Sequence, residues 1–257
     1  MIDLRVGRWQ EALADIGEVD CLMVDAPYSA KTHAGHDAGK AKVQSSAVKR
    51  GGYVRSNGKS DGAHERRAID YKSFDQEQVN AFVDAWAPRC RGWMVSITDD
   101  VLLPVWRDAM ARHNRQTFQD VVAIVSGMTV RLSGDGPSSW CLHIVVSRPR
   151  TREFASWGTL PGGYFGPAEP QPVVGGKPMW LMQALIRDYT RPGDLVADPT
   201  AGGATTLIAA HTLGRRAIGA EMDPQTAAKA QARIDRHLRQ GTLFEPAAMA
   251  VQARLEV

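Results

Sequence analysis

The stretch 195–221 constrains this chain most. A short apolar run, Leu195-Val196-Ala197, leads into Asp198-Pro199-Thr200-Ala201-Gly202-Gly203-Ala204-Thr205-Thr206. An Ala-rich segment over about 204–213 has helical character. A second apolar run, Ala217-Ile218-Gly219-Ala220, ends at Glu221. Apolar runs this short on either side of one helix read as strand, helix, strand. Two strands joined by such a crossover lie parallel, in a sheet that helices cover. Gly202 and Gly203 let the backbone approach a ligand at the first strand's carboxyl end. Taken alone they are equally a plain tight turn. The turn lacks G-x-G-x-x-G and G-x-x-x-x-G-K-[ST], so it is no pyrophosphate or triphosphate cradle. Glu221 follows Asp198 by 23 positions, about the separation that sets an acid against ribose hydroxyls. A nucleoside without phosphates suits that pocket.

A second strand-to-loop junction lies near the N-terminus. Cys21-Leu22-Met23-Val24 is too short for a helix and runs into Asp25-Ala26-Pro27-Tyr28. The tetrapeptide offers a carboxylate, a backbone carbonyl at Ala26, a stiffening proline and an aromatic ring. A carboxylate and a carbonyl together accept both hydrogens of an amino group, and the ring can stack on a flat heterocycle. Alone, these four residues are as well read as an ordinary strand-to-turn junction.

The remaining chain supplies context. The 257 residues are 44% hydrophobic and carry a formal net charge of only +3. Residues 31–70 hold nine Lys/Arg, four acids and six glycines, without sustained periodicity. They read as a long basic loop, either a solvated insertion without a role or a segment ordered by a partner, and nucleic acid is the partner its charge favours. His33 and His36 form H-x-x-H in that loop without a nearby cysteine, which suits phosphate contact or solvation better than zinc. Cys21, Cys90 and Cys141 are odd in number and far apart, so they read as thiols in a reducing compartment. No apolar run reaches the length of a membrane span, and the first residues lack a signal-peptide pattern, so a cytoplasmic location is expected. Strands are expected at 2–8, 19–24, 93–98, 118–125, 140–147, 195–197 and 217–220. The strands at 118–125 and 140–147 are expected to pair as an antiparallel ribbon at the sheet edge. Helices are expected over about 9–16, 100–113, 178–190 and 224–239, and one opens on a capping box at Ser73-Phe74-Asp75-Gln76 and runs to about 89. Residues 148–177 are Pro/Gly-rich and read as irregular.

Both junctions resemble motifs of one family, the DNA amino-methyltransferases. Asp25-Ala26-Pro27-Tyr28 resembles its Asp-Pro-Pro-Tyr catalytic motif, with Ala26 for the first proline. Residues 198–206 resemble its S-adenosylmethionine motif, Asp-Pro-Phe-Ala-Gly-Ser-Gly-Thr-Thr, with Thr200, Gly203 and Ala204 as departures. Lys177-Pro178 resembles the element before that motif, and Arg215 to Glu221 the strand after it. Trp9 stands where the family often has an Asp near the cofactor adenine, which implies stacking there, with packing in the core as the equal alternative. The resemblance covers 177–235 nearly continuously, plus 19–29. The catalytic motif precedes the cofactor motif, as in the circularly permuted beta class.

The resemblance implies a Rossmann-like methyltransferase fold with a seven-stranded, mostly parallel sheet and one antiparallel strand. It implies a single catalytic domain over 1–257, with the basic insertion at about 31–70 and a short target-recognition segment at about 148–177. S-adenosylmethionine is the implied cofactor, held by Asp198, Thr200, Ala201, Gly202, Gly203, Thr205, Glu221, Met222 and Lys177. Double-stranded DNA is the implied substrate, held by Ser29, Lys31, His33, His36, Lys49, Arg50, Arg66 and Arg67. N6 of adenine is the expected target, because Asp at position 25 is commoner in that subclass. N4 of cytosine, or a catalytically silent DNA-binding protein of the same fold, are the alternatives. A homodimer and a partner restriction nuclease are further expectations, in a protein of prokaryotic or phage origin.

Overall fold

The computed structural model describes residues 1–34, 72–126, 141–155, 157–171, 173 and 175–243. One mixed sheet runs through it. Its strands are β1 (Ile2–Val6), β2 (Val19–Asp25), β3 (Cys90–Thr98), β4 (Arg115–Thr117), β5 (Val121–Ser126), β6 (Cys141–Pro149), β7 (Gly163–Pro167), β8 (Leu195–Asp198) and β9 (Arg216–Glu221). Their order is β1-β9-β8-β2-β3-β6-β5-β7, with β4 also on β6. Strands β1, β9, β8, β2 and β3 pair parallel, and β6 runs against β3, β4 and β5. The expected single antiparallel strand is therefore β6. The expected count of seven is corrected to nine among the described residues.

The two additions have physical reasons. Residues 115–126 run along one side of β6, but ladder pairing lapses over 118–120 and splits β4 from β5. Strand β7 lies inside the stretch read as irregular and pairs parallel with β5 at the sheet edge. An edge strand tolerates the glycines and proline that argue against a central one. The β5–β6 ribbon is antiparallel as expected, but β7 covers it, so it does not form the edge.

Helices cover the sheet, among them α1 (Trp9–Ala12), α2 (Gln76–Trp86), α3 (Leu103–Arg112), α4 (Arg152–Ala155), α5 (Met179–Tyr189), α6 (Thr205–Thr212) and α7 (Pro224–Leu243). Strand β2 shows how one sequence serves both faces. Cys21 and Met23 pack into one cluster with Leu181, Leu185 and Leu207, while Leu22 and Val24 pack into the other with Phe82, Trp86 and Trp106. Alternation along the strand dictates this. The capping box opening α2 is real but lies two residues later than expected. Asp75 accepts from the Gln78 amide, and Gln78 reaches back to the Asp75 amide. Trp9 packs against Phe82, with ring centroids 5.2 Å apart, which is the core alternative of the two readings. Among the described residues no helix is long and apolar enough to cross a membrane.

Candidate active site

Strands β8 and β2 are parallel neighbours at the centre of the sheet. From β8 the chain proceeds outward to β9, and from β2 it proceeds the other way to β3. The crevice outside their carboxyl ends is therefore a topological switch point, where such sheets bind ligands. Asp25 ends β2 and Asp198 ends β8. The two junctions seen in the sequence thus meet there. The Thr200 hydroxyl donates to the Asp25 carbonyl at 3.4 Å.

The Asp25 carboxylate is mostly shielded. Lys177 Nζ donates to its Oδ2 at 2.5 Å and to the Gly175 carbonyl at 2.7 Å. The same ammonium lies 5.1 Å from the centroid of the Tyr28 ring. Burial raises the Asp25 carboxyl above the ordinary range, and Lys177 and Tyr28 pull it back only in part. Ala26 is buried, whereas Pro27 and Tyr28 are half-buried. The Phe74 amide donates to the Tyr28 carbonyl at 3.0 Å.

The turn after β8 is fixed by hydrogen bonds to its backbone, most of them with side chains. The Thr200 amide donates to Asp198 Oδ1 at 3.1 Å, and the Ala201 amide to the Ala220 carbonyl at 2.9 Å. Glu221 accepts from the Gly202 amide at 3.0 Å and the Asp223 amide at 2.8 Å. Arg233 donates to the Gly203 carbonyl and, at 3.3 Å, to the Thr205 hydroxyl. Gly202 has a φ of +50°, and Ala204 enters the left-handed region at φ 62°. Burial pushes Asp198 up to about 7, with smaller rises from the charges of Asp25 and Glu221. Burial also raises Glu221, against the pull of its amide donors. Ala201, Gly203 and Thr205 are buried in the turn, and Met222 is exposed beside it.

The residues assigned to DNA divide into three groups. Ser29 is buried, and both its amide and its hydroxyl donate to Asp99 Oδ2, at 2.9 and 2.6 Å, which anchors the loop. Lys31 is exposed and pairs with Asp100 at 2.8 Å, and His33 is half-buried. His36, Lys49, Arg50, Arg66 and Arg67 lie outside the described residues. Sequence reasoning missed Asp99, which also accepts from the Thr32 hydroxyl at 2.6 Å and the Leu102 amide at 3.1 Å. Burial alone would raise Asp99, but these donors together hold it below the ordinary range. A usable signal was present, since Asp99 follows β3 much as Asp25 and Asp198 close β2 and β8. Arg233 was missed as well, and nothing local marks a helix arginine that reaches a turn 30 residues back.

The fold and the crevice define a Rossmann-like architecture of the methyltransferase type. Residues 168–232 match the profile of a family described as DNA methylase. A curated relative, the type II methyltransferase M2.DpnII of Streptococcus pneumoniae, is 36% identical over 59 residues, which are 23% of this chain and 22% of the relative. The chain thus spans less than a third of the length of the curated relatives it matches. Among solved structures, the M1.HpyAVI–SAM complex superposes with a TM-score of 0.62 at 16% identity, covering 91% of this chain and 100% of the other. The cytosine-N4-specific PvuII DNA methyltransferase gives 0.60 at 14%, covering 90% and 86%. Over residues 168–232 the chain is therefore similar to DNA methylases, and its fold as a whole is similar to the folds of these DNA methyltransferases.

Proposed function

We propose that this protein transfers a methyl group from S-adenosylmethionine to the exocyclic N6 amine of adenine in DNA. The observation that carries the reading is the meeting of Asp25 with the Asp198–Glu221 turn at the switch point, bridged by Thr200. The turn suits the cofactor. It offers the Glu221 carboxylate at a strand end for ribose hydroxyls and a backbone held close to the sheet, without a phosphate cradle. When bound, S-adenosylmethionine supplies an electrophilic methyl group on a sulfonium sulfur.

The chain's own residues do the rest. Asp25 and the Ala26 carbonyl accept the two amine hydrogens. They thereby favour a tetrahedral nitrogen whose lone pair is less delocalised into the ring. The half-buried Tyr28 ring offers a stacking face for a base that leaves the duplex. Positioning of the nitrogen in line with the methyl carbon is the main contribution. The basic segment 31–70 grips the phosphate backbone. Its two flanks are held at the site, because Ser29 bridges Phe74.

The same pair of acceptors serves N4 of cytosine, and one structural neighbour is named as specific for that atom. One experiment decides among these readings. The protein is incubated with DNA and methyl-labelled S-adenosylmethionine, the DNA is digested, and the labelled nucleoside is identified. N6-methyladenine is expected. N4-methylcytosine would overturn the choice of base, and absence of label would leave a silent DNA-binding protein. Asp25→Asn should lower the rate by about 10²–10³-fold, the scale for removing one charge-stabilising group. Asp25→Ala is a poorer control, because it leaves the shielded Lys177 ammonium unpaired at a cost of up to about 3 kcal/mol.

A further inference from the structure

The resemblance assigns Lys177 to the cofactor, but its hydrogen bonds lie elsewhere. It precedes α5, its side chain is only 9% exposed, and its ammonium is committed to Asp25 Oδ2 and the Gly175 carbonyl. That oxygen belongs to the carboxylate assigned above to the target amine. The ring 5.1 Å away is the one assigned to the base. In the free protein the ammonium thus makes to Asp25 the kind of hydrogen bond that the amine makes during reaction. The Gly175 carbonyl takes a second of its hydrogens and so fixes the ammonium beside the carboxylate.

A cation is needed at this point. Asp25 closes a central strand, and Asp198 closes the adjacent one, followed by Glu221 at the end of β9. A shielded carboxylate beside another takes up a proton unless a cation opposes it. A protonated carboxyl group turns an acceptor oxygen into a donor and opposes the reaction. The groups that bear on Asp25 are Lys177 from the segment before α5, Tyr28 from its own loop and Asp198 from the end of β8. Of these, Lys177 is the cation.

We propose that Lys177 is a positioning residue, whose ammonium holds the Asp25 carboxylate ionised and oriented to accept the target amine. This rests on the methyltransferase reading. The test compares Lys177→Met, which removes the charge and keeps the stem, with Lys177→Arg, which keeps the charge. Lys177→Gln serves as the uncharged variant if the Met form does not fold. Two readouts are taken. The first is kcat/KM for DNA methylation against pH. The second needs no turnover, and is the ¹³C titration of the Asp25 carboxyl in the DNA-free protein, assigned with Asp25→Asn.

In the uncharged variant both the acidic limb and the Asp25 titration should move up by about one pH unit or more, and Lys177→Arg should restore them. An unchanged Asp25 titration in the uncharged variant overturns the role of Lys177, whatever happens to the rate. A weaker affinity for S-adenosylmethionine with an unmoved pH profile overturns it too, and returns Lys177 to the cofactor. Absence of methylation by the parent overturns the methyltransferase reading instead, and leaves the titration to decide whether Lys177 governs Asp25.

Discussion

Ala204 occupies a backbone conformation that suits glycine. Its φ of 62° puts Cβ against the following carbonyl at the N-cap of α6, a cost of about 1–2 kcal/mol for an L residue. The family motif has glycine at this place. Glycine relieves the clash but adds about 0.4–1 kcal/mol of freedom to the unfolded chain. Ala204→Gly should therefore stabilise the protein by about 0.5–1 kcal/mol, measured by urea unfolding. Asp198 gives a pH-dependent prediction at the same scale. Its folded-state value of about 7 lies above the ordinary 3.8. Between these values the native state holds a proton that the unfolded state has lost. The associated stability is complete below the ordinary value and disappears as pH rises through about 7. Asp198→Asn keeps an acceptor for the Thr200 amide and removes this titration. Unfolding free energies from about pH 4 to 8 should fall less steeply with pH in the variant than in the parent.

At the scale of elements, Asp99 ties the loop after β2 to the end of β3. Ser29, Thr32 and Leu102 all donate to it, and Ser29 also bridges Phe74 just before α2. One carboxylate therefore closes the base from which the basic insertion departs and to which it returns. Asp99→Ala leaves buried donors without an acceptor, each a cost of about 1–3 kcal/mol when no water replaces it. The melting temperature should drop by several degrees, on the scale of about 2–4 °C per kcal/mol for a chain of this size. Thermal unfolding followed by circular dichroism checks this. An unchanged melting temperature would mean that the clasp is decorative.

At the scale of the whole molecule, charge is uneven. The segment 31–70 carries nine basic residues against four acids in a chain whose net charge is +3. On the proposed function, electrostatic grip on DNA is assigned to this segment. Every phosphate that a substitution leaves without its cation should lower the slope of log K against log salt by about 0.9. Neutralising Lys49, Arg50, Arg66 and Arg67 together should weaken DNA binding and flatten that slope, with affinity for S-adenosylmethionine unchanged. Binding titrations at several salt concentrations measure both. The same slope and affinity in parent and variant would move DNA recognition away from this segment.

Both halves of the candidate site were legible in the sequence, because each lies within a few residues of one strand end. Asp25 to Tyr28, the 198–206 turn and Glu221 are local patterns, and strand, turn and helix signals are local too. The order of the halves along the chain was equally plain, and a doubly wound sheet brings them together in either order. What required the tertiary structure was pairing across distance. Lys177 meets Asp25 across 152 positions, Asp99 meets Ser29 across 70, and Arg233 meets Gly203 across 30. No periodicity encodes such a meeting. Strand β7 was hidden for the same reason, since its sequence reads as irregular until the edge of β5 offers it a partner. Local propensity decides which segments can be strands or helices, and packing of the sheet decides which side chains then face one another.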